Sequence, residues 1–194
     1  MKFSEHEETA KEYGIGGGGF WRPQKGISKV RILSEYEAYG FHWDNKKKKG
    51  GRCIGKDEGC IFCKEGDNPK AKFLMWVIDR EDNVIKIAQI GYTVIQQIAE
   101  LQVSDDWGFS VVPDYDITIN RKGEGIDTKY FVQPASTKTK LTTAEKKAVD
   151  ETTKDLKEII ERMKEKMGGS SVQVDEEPEE EDTEDEVKDS DIPF

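Results

Sequence analysis

Three cysteines and one of only two histidines fall within 22 residues of this chain: His42, Cys53, Cys60 and Cys63. Cys60-Ile61-Phe62-Cys63 has the spacing that lets two thiolates of one tight turn reach the same tetrahedral ion. Cys53 lies seven residues before Cys60, across a stretch with Gly55 and Gly59 that can bend back, and His42 precedes Cys53 by eleven. One histidine and three cysteines form a closed set with no open coordination position, so the spacing predicts one structural Zn2+ rather than a catalytic one. His6 is the alternative fourth ligand, but it precedes the glycine-rich hinge at 14–19. The set constrains the fold because it spans a Gly-, Lys- and Cys-rich loop from Asp44 to Pro69, 26 residues long. A loop of that length inside a compact domain is usually functional, and metal ligation supplies folding energy that its polar side chains lack.

Around this loop the apolar residues follow strand periodicity. Val30 and Ile32 alternate with Lys29 and Arg31, as on a half-buried strand with a basic outer face. Tyr39, Phe41 and Trp43 share one face of the next strand, with His42 on the other. Residues 73–78 are continuously apolar, as in a strand buried on both sides. Arg80–Asn83 reads as a turn, and Val84–Ile90 returns as a hairpin. Val94, Ile95, Ile98 and Leu101 have helical spacing. In a second hairpin Tyr115, Ile117 and Ile119 face inward, Thr128, Tyr130 and Val132 return, and Pro134 ends the strand. Thr142-x-x-Glu145 is a capping box opening one helix over 142–167. About five short strands with one intervening helix predict a mainly β chain, an OB-fold-like Greek-key barrel; an SH3-like barrel is the rival. The expected organisation is an arm at 1–19, a barrel at 20–140 carrying the metal loop 42–69, a helix at 141–168 and an acidic tail at 169–194.

The net charge of −10 is a property of that tail. Residues 168–194 hold twelve of the forty acids and one of the thirty bases, leaving 28 acids and 29 bases on residues 1–167. A near-neutral body can bind phosphate where its bases cluster, and here bases interleave with aromatics. Trp21 adjoins Arg22; Lys29 and Arg31 share a strand; Trp43 precedes Lys46, Lys47, Lys48, Lys49 and Arg52; Lys72 adjoins Phe73; Lys129 neighbours Phe131. Stacking aromatics and positive charge are what a single nucleic-acid strand requires. Trp43, Phe131 and Trp21 are the aromatics expected to face solvent. About half of Trp76, Tyr39, Phe41, Tyr115 and Tyr130 are expected in the core.

The run Asp175–Glu186 is nearly all acidic, which suits a solvated tail, yet the chain finishes on Asp189-Ser190-Asp191-Ile192-Pro193-Phe194. A terminal Phe carboxylate can enter an apolar pocket with a basic rim, while Asp189 and Asp191 steer the approach. This tip resembles that of bacterial SSB proteins, a resemblance of about six residues. It implies docking of Asp189, Asp191, Ile192, Pro193 and Phe194 to a helicase, polymerase, nuclease or recombination mediator. The body, over roughly residues 20–134, resembles the zinc-containing single-stranded-DNA-binding proteins of tailed phages. The resemblance rests on Phe20-Trp21-Arg22-Pro23, Lys29–Leu33, the set His42, Cys53, Cys60 and Cys63, and Phe131-Val132-Gln133-Pro134. It implies an OB-fold that coats single strands in replication, recombination and repair, with the zinc loop beside the DNA groove. Two positions depart from the family. The arm carries Glu5, Glu7, Glu8 and Glu12 where studied members are basic, and Ile54 stands where a proline is expected.

The expectation is therefore a non-enzymatic DNA-coating protein without a membrane partner. Three cysteines, an odd number, and an N-terminus unlike a targeting peptide place it in the cytoplasm, that of a bacterial host if phage-encoded. A zinc-bearing RNA-binding or transcription-regulating module is the alternative. A nuclease using Asp114 and Asp116 is a weaker one, because their alternation fits a polar strand face. The tail is also expected to compete with DNA for the basic surface.

Overall fold

Strand β4 (Lys70–Asp79) organises the sheet. Successive side chains of a strand point to opposite faces, so its apolar run serves two cores at once. Phe73, Met75 and Val77 go to one face and Leu74, Trp76 and Ile78 to the other, none more than 9% exposed. The chain is seen here in a computed structural model that describes residues 20–44 and 49–167.

Strands β1 (Gly26–Ile32) and β2 (Glu37–Asp44) lie end to end along one edge of β4. Val30–Ile32 pair with Asp79–Val77, and Glu37–Phe41 with Leu74–Lys70, both antiparallel. Between them the chain stays attached to β4: the Leu33 amide donates to the Trp76 carbonyl, and the Trp76 amide to Ser34 Oγ. Strand β3 (Lys49–Arg52) returns on β2, and β5 (Val84–Ile90) forms a hairpin on the other edge of β4. The hairpin turn has Asn83 in the left-handed region at φ 57°, a conformation that asparagine tolerates. Helix α1 (Ile61–Lys64) lies in the loop before β4, and helix α2 (Tyr92–Gln102) follows β5. Strand β6 (Tyr115–Lys122) then pairs with β1, and β7 (Lys129–Lys138) with β6. The seven strands form one antiparallel sheet in the order β3-β2-β4-β1-β6-β7, with β5 on β4.

The inner core packs Val30, Ile32, Phe73, Met75, Val77, Ala88, Ile90, Tyr115, Ile117 and Ile119 beneath Val94, Ile95 and Ile98 of α2. The sheet is open rather than a closed barrel: among the described residues no ladder joins β7 to β5. A side chain from α2 takes the place of a closing strand. Gln97 Nε2 donates to the Tyr130 carbonyl at 2.9 Å, and Gln97 Oε1 accepts from the Val132 amide at 2.9 Å. Edge groups of β7 that would otherwise need a ladder partner are thereby satisfied.

Two expectations about the C-terminal half are corrected. Strand β7 does not stop at Pro134 but runs on to Lys138, with Pro134 opposite Ile117 and an irregularity just beyond that pair. An edge strand tolerates proline at such a place. The helix expected over 142–167 is two helices, α3 (Thr143–Thr152) and α4 (Leu156–Met167). The capping box at Thr142 and Glu145 forms as read. The break falls after the β-branched pair Thr152-Thr153. There Trp76 Nε1 takes the Lys154 carbonyl at 2.9 Å, and the Asp155 carboxylate accepts from the Lys157 amide at 2.8 Å, as the cap of a new helix. Among the described residues, no helix is long and apolar enough to cross a membrane.

Candidate metal centre and nucleic-acid interface

His42 reaches the metal loop because β2 alternates. Tyr39 and Phe41 point to the outer face, while His42, fully buried, points the other way. Cys53 directly follows β3, its amide still bonded to the Gly40 carbonyl at 2.8 Å. Gly55 and Gly59, at φ 92° and 91°, turn the chain so that Cys60 caps α1 and Cys63 lies within it. These conformations strain any residue with a Cβ. Ligand atoms of His42, Cys53, Cys60 and Cys63 all lie within 4.8 Å of one another, and the four could hold one metal ion. The Cys53 and Cys63 sulfurs are 3.4 Å apart, and Cys63 Sγ is 3.4 Å from His42 Nε2.

The surroundings prepare these groups to act as ligands. Burial pushes the Cys60 thiol up, but the amides of Cys63 and Ile54 donate to its sulfur, and together with the neighbouring thiols they hold it below the ordinary value. Cys63 is pushed up to about 12 by burial and then by its two cysteine neighbours. Three clustered thiols do not all ionise by themselves; a bound cation would reverse that balance. Asp67 Oδ2 lies 2.6 Å from His42 Nδ1, which leaves Nε2 to face the sulfurs. Phe62 stacks on the imidazole, ring centroids 5.2 Å apart and planes at 14°. An acceptor on the far nitrogen is the usual partner of a metal-bound histidine. Sequence reasoning missed Asp67 and Phe62; the one legible signal was that both lie inside the loop.

The basic and aromatic positions come together on the outer face of the sheet. Register and alternation put Phe41, Trp43 and Arg52, then Lys72, then Lys29 and Arg31, then Lys129 and Phe131 on that face. Lys72 Nζ stands 5.8 Å from the Phe41 ring centroid. At the open end Phe131 is 46% exposed, with Lys122 Nζ 5.4 Å from its ring centroid. Cross-strand register aligns Phe131 with Asn120 and Asn120 with Ile27, which is 74% exposed. Ile27 and Lys122 were not singled out from the sequence, since an apolar residue in a strand reads as core until the register is known.

Trp43, expected to face solvent, is half-buried against the Tyr39 and Phe41 cluster, and two other expected surface residues are buried outright. Trp21, expected to face solvent, is buried in the inner core, and its indole N–H donates to Asp79 Oδ2 at 3.0 Å. The basic outer face read around Arg31 is covered there. Arg31 is 2% exposed and donates to Asp116 Oδ1 at 2.8 Å and to Thr139 Oγ1 at 2.8 Å. Arg80 adds bonds to Asp116 and Glu145, and Lys29 Nζ lies 3.3 Å from Asp116. Burial raises the Asp116 carboxyl, yet Arg80, Arg31 and Lys29 outweigh it and hold the group below its ordinary range. Asp116 is thus a structural counter-ion. Arg22 donates two bonds to Gln89 Oε1, at 3.0 and 2.6 Å. Lys49 is described only by its backbone pairing with Asp44. Lys46, Lys47, Lys48, His6, the arm and the tip Asp189, Asp191, Ile192, Pro193 and Phe194 lie outside the described residues.

A protein of Escherichia phage T5, described as a probable ssDNA-binding protein, is 28% identical over 156 residues, covering 64% of this chain and 60% of the relative. The chain therefore spans about 60% of the length of that curated relative. No family model and no solved structure matches the chain.

Proposed function

We propose that this protein is a non-enzymatic single-stranded-DNA-binding protein that lays the strand across the outer face of its sheet. The observation that carries this is the convergence of Lys29, Trp43, Arg52, Lys72, Lys129 and Phe131, drawn from five strands, on one face. Bases stack on exposed aromatics and phosphates follow the bases, which needs no sequence readout. The phage T5 relative supports the same class of ligand and, being described as a binding protein, a role other than catalysis.

The fold is best taken as an OB-fold opened between β5 and β7. The bent β1–β2 edge, the β4–β5 hairpin, α2 and the β6–β7 hairpin follow one another as the strands and helix of that fold do. The metal is Zn2+. Zinc–sulfur bonds of about 2.3 Å imply sulfur–sulfur separations of about 3.8 Å in a tetrahedron, close to the 3.4 Å of Cys53 and Cys63. Its role is structural: it fixes Trp43 and Arg52 at one end of the DNA face by closing the loop between them and β4. The tip Asp189–Phe194 recruits a helicase, polymerase, nuclease or recombination mediator, and the protein coats single strands in replication, recombination and repair in the cytoplasm.

The test is a tryptophan-fluorescence titration of the full chain with oligo(dT), with and without a zinc chelator. Saturable quenching by single strands, weakened by salt and by chelation, is expected. No quenching at any salt would overturn the reading. Quenching that chelation leaves unchanged would remove zinc from it.

A further inference from the structure

The middle of the outer face is occupied by the chain's own C-terminal helices. Leu156 and Ile160 of α4 are buried against Tyr39, Phe41, Leu74 and Trp76, with Ile159, Met163 and Trp43 at the margin. This cover is narrow. Among the described side chains of α4 only those two are buried, and α3 contributes none. Its remaining ties are hydrogen bonds and ion pairs on the rim. Trp76 Nε1 donates to the Lys154 carbonyl at 2.9 Å, Arg52 to the Ile160 carbonyl and to Glu161 Oε1, and Arg80 to Glu145. Lys157 lies 3.6 Å from Glu37.

What lies beneath is rich in groups that a nucleic-acid strand would also use. The two aliphatic side chains sit on Leu74 and on three aromatic rings, Tyr39, Phe41 and Trp76, with Trp43 beside them. Arg80 is held by Asp116 and by Glu145 of α3, whereas Arg52 holds oxygens of α4 itself, the Ile160 carbonyl and the Glu161 carboxylate. Those are the acceptors that a phosphodiester would replace. β1 and β6 join the covered patch to the Phe131 and Lys129 end of the same sheet face, with the buried Arg31 and Asp116 between them.

We propose that α4 is a displaceable cover on a further, covered part of that single-stranded-DNA face. Tyr39, Phe41, Trp43 and Trp76 form its stacking platform, and Arg52 pairs with the phosphates once its helix oxygens leave. The inference rests on the single-strand reading above and adds that DNA and α4 exclude one another. A strand held at the Phe131 end would reach Trp76 past the Arg31–Asp116 network as α4 lifts about the segment 153–155. The binding-competent fraction, and with it the apparent affinity, is then set by how often the cover is open.

Hydrogen exchange of the full chain, free and saturated with oligo(dT), tests this directly. Amides of 156–163 are expected to exchange faster in the complex, while those of β1 and β7 slow. Slower or unchanged exchange in α4, with β7 protected, would overturn the cover and leave the function standing. No complex with oligo(dT) would remove both. In a second arm, Ile160→Asp in the full chain is expected to tighten binding roughly fivefold by populating the open form. A folded Ile160→Asp protein with unchanged or weaker affinity would also overturn it, and exchange on the wild-type chain decides the matter if this variant does not fold.

Discussion

The two faces of the sheet share strand β4 but are buried by different means. On the inner face Phe73, Met75 and Val77 meet α2 and aliphatic side chains of β1, β5 and β6. On the outer face Leu74 and Trp76 meet two aliphatic residues of α4, while Arg31, Arg80 and Asp116 form a buried charge network beside them. The inner arrangement is held by apolar area, which has no directional demand. The outer one is held by partners that must all be present, because an unpaired buried charge is costly. The difference separates a face held by apolar area alone from one that also buries paired charges.

Neighbouring residues of β6 set the two faces against each other. Asp116→Ala strands Arg31 in the interior and is expected to destabilise the fold by about 3–5 kcal/mol. Ile117→Ala opens an inner cavity at a cost of about 2–5 kcal/mol. Urea unfolding distinguishes the causes: adding Arg31→Met should restore much of the first loss and none of the second. Equal behaviour of the two double variants would erase the distinction. Phe131→Ala, at the exposed end of the outer face, should move stability by no more than about 0.5 kcal/mol. The same variant should weaken oligo(dT) binding by about 1–3 kcal/mol, the worth of one stacked base; an unaltered titration would take Phe131 out of the site.

The smallest effect concerns the clasp between α3 and the sheet. Arg80, then the Thr142 amide, hold the Glu145 carboxyl at about 2, against an ordinary value of 4.5. A carboxyl depressed in the folded state stabilises that state above its unfolded pKa and loses the contribution as pH falls toward the folded value. The contribution of the Arg80–Glu145 tie to stability should therefore be complete at neutral pH and be lost progressively between pH 4.5 and about 2. Urea unfolding at a series of pH values should show a loss of stability across that window that is smaller in Glu145→Gln. A loss of the same size in Glu145→Gln would assign it elsewhere.

Much of the frame was legible in the sequence because its signals are local. Two-residue alternation announced β1, β6 and the inward set Tyr115, Ile117 and Ile119, and a continuous apolar run announced β4. The helical spacing of Val94, Ile95 and Ile98 announced α2, and the Thr142–Glu145 box announced the start of α3. The His/Cys cluster was legible too, since four residues of two rare ligand types in one loop leave few other arrangements. Asp67 was not, because an acidic residue in a polar loop has no distinguishing pattern until the fold puts it on His42 Nδ1.

By itself, the sequence determined most of the strands and their inward faces, though not β3 inside the expected loop, together with the ligand cluster and the segregation of charge into the last 27 residues. Each of these follows from periodicity, spacing or composition over a few neighbouring residues. Only the tertiary structure decided that Trp21 is core, that Arg31 is locked to Asp116, and that the sheet stays open with Gln97 on its edge. It alone also decided that the helical segment breaks at 153–155 so that α4 can lie over Trp76. Each of those outcomes depends on a partner distant along the chain: 58 residues separate Trp21 from Asp79, 85 separate Arg31 from Asp116, and 78 separate Trp76 from Lys154. Local pattern says which face a side chain takes, but what that face meets is settled only when remote segments pack.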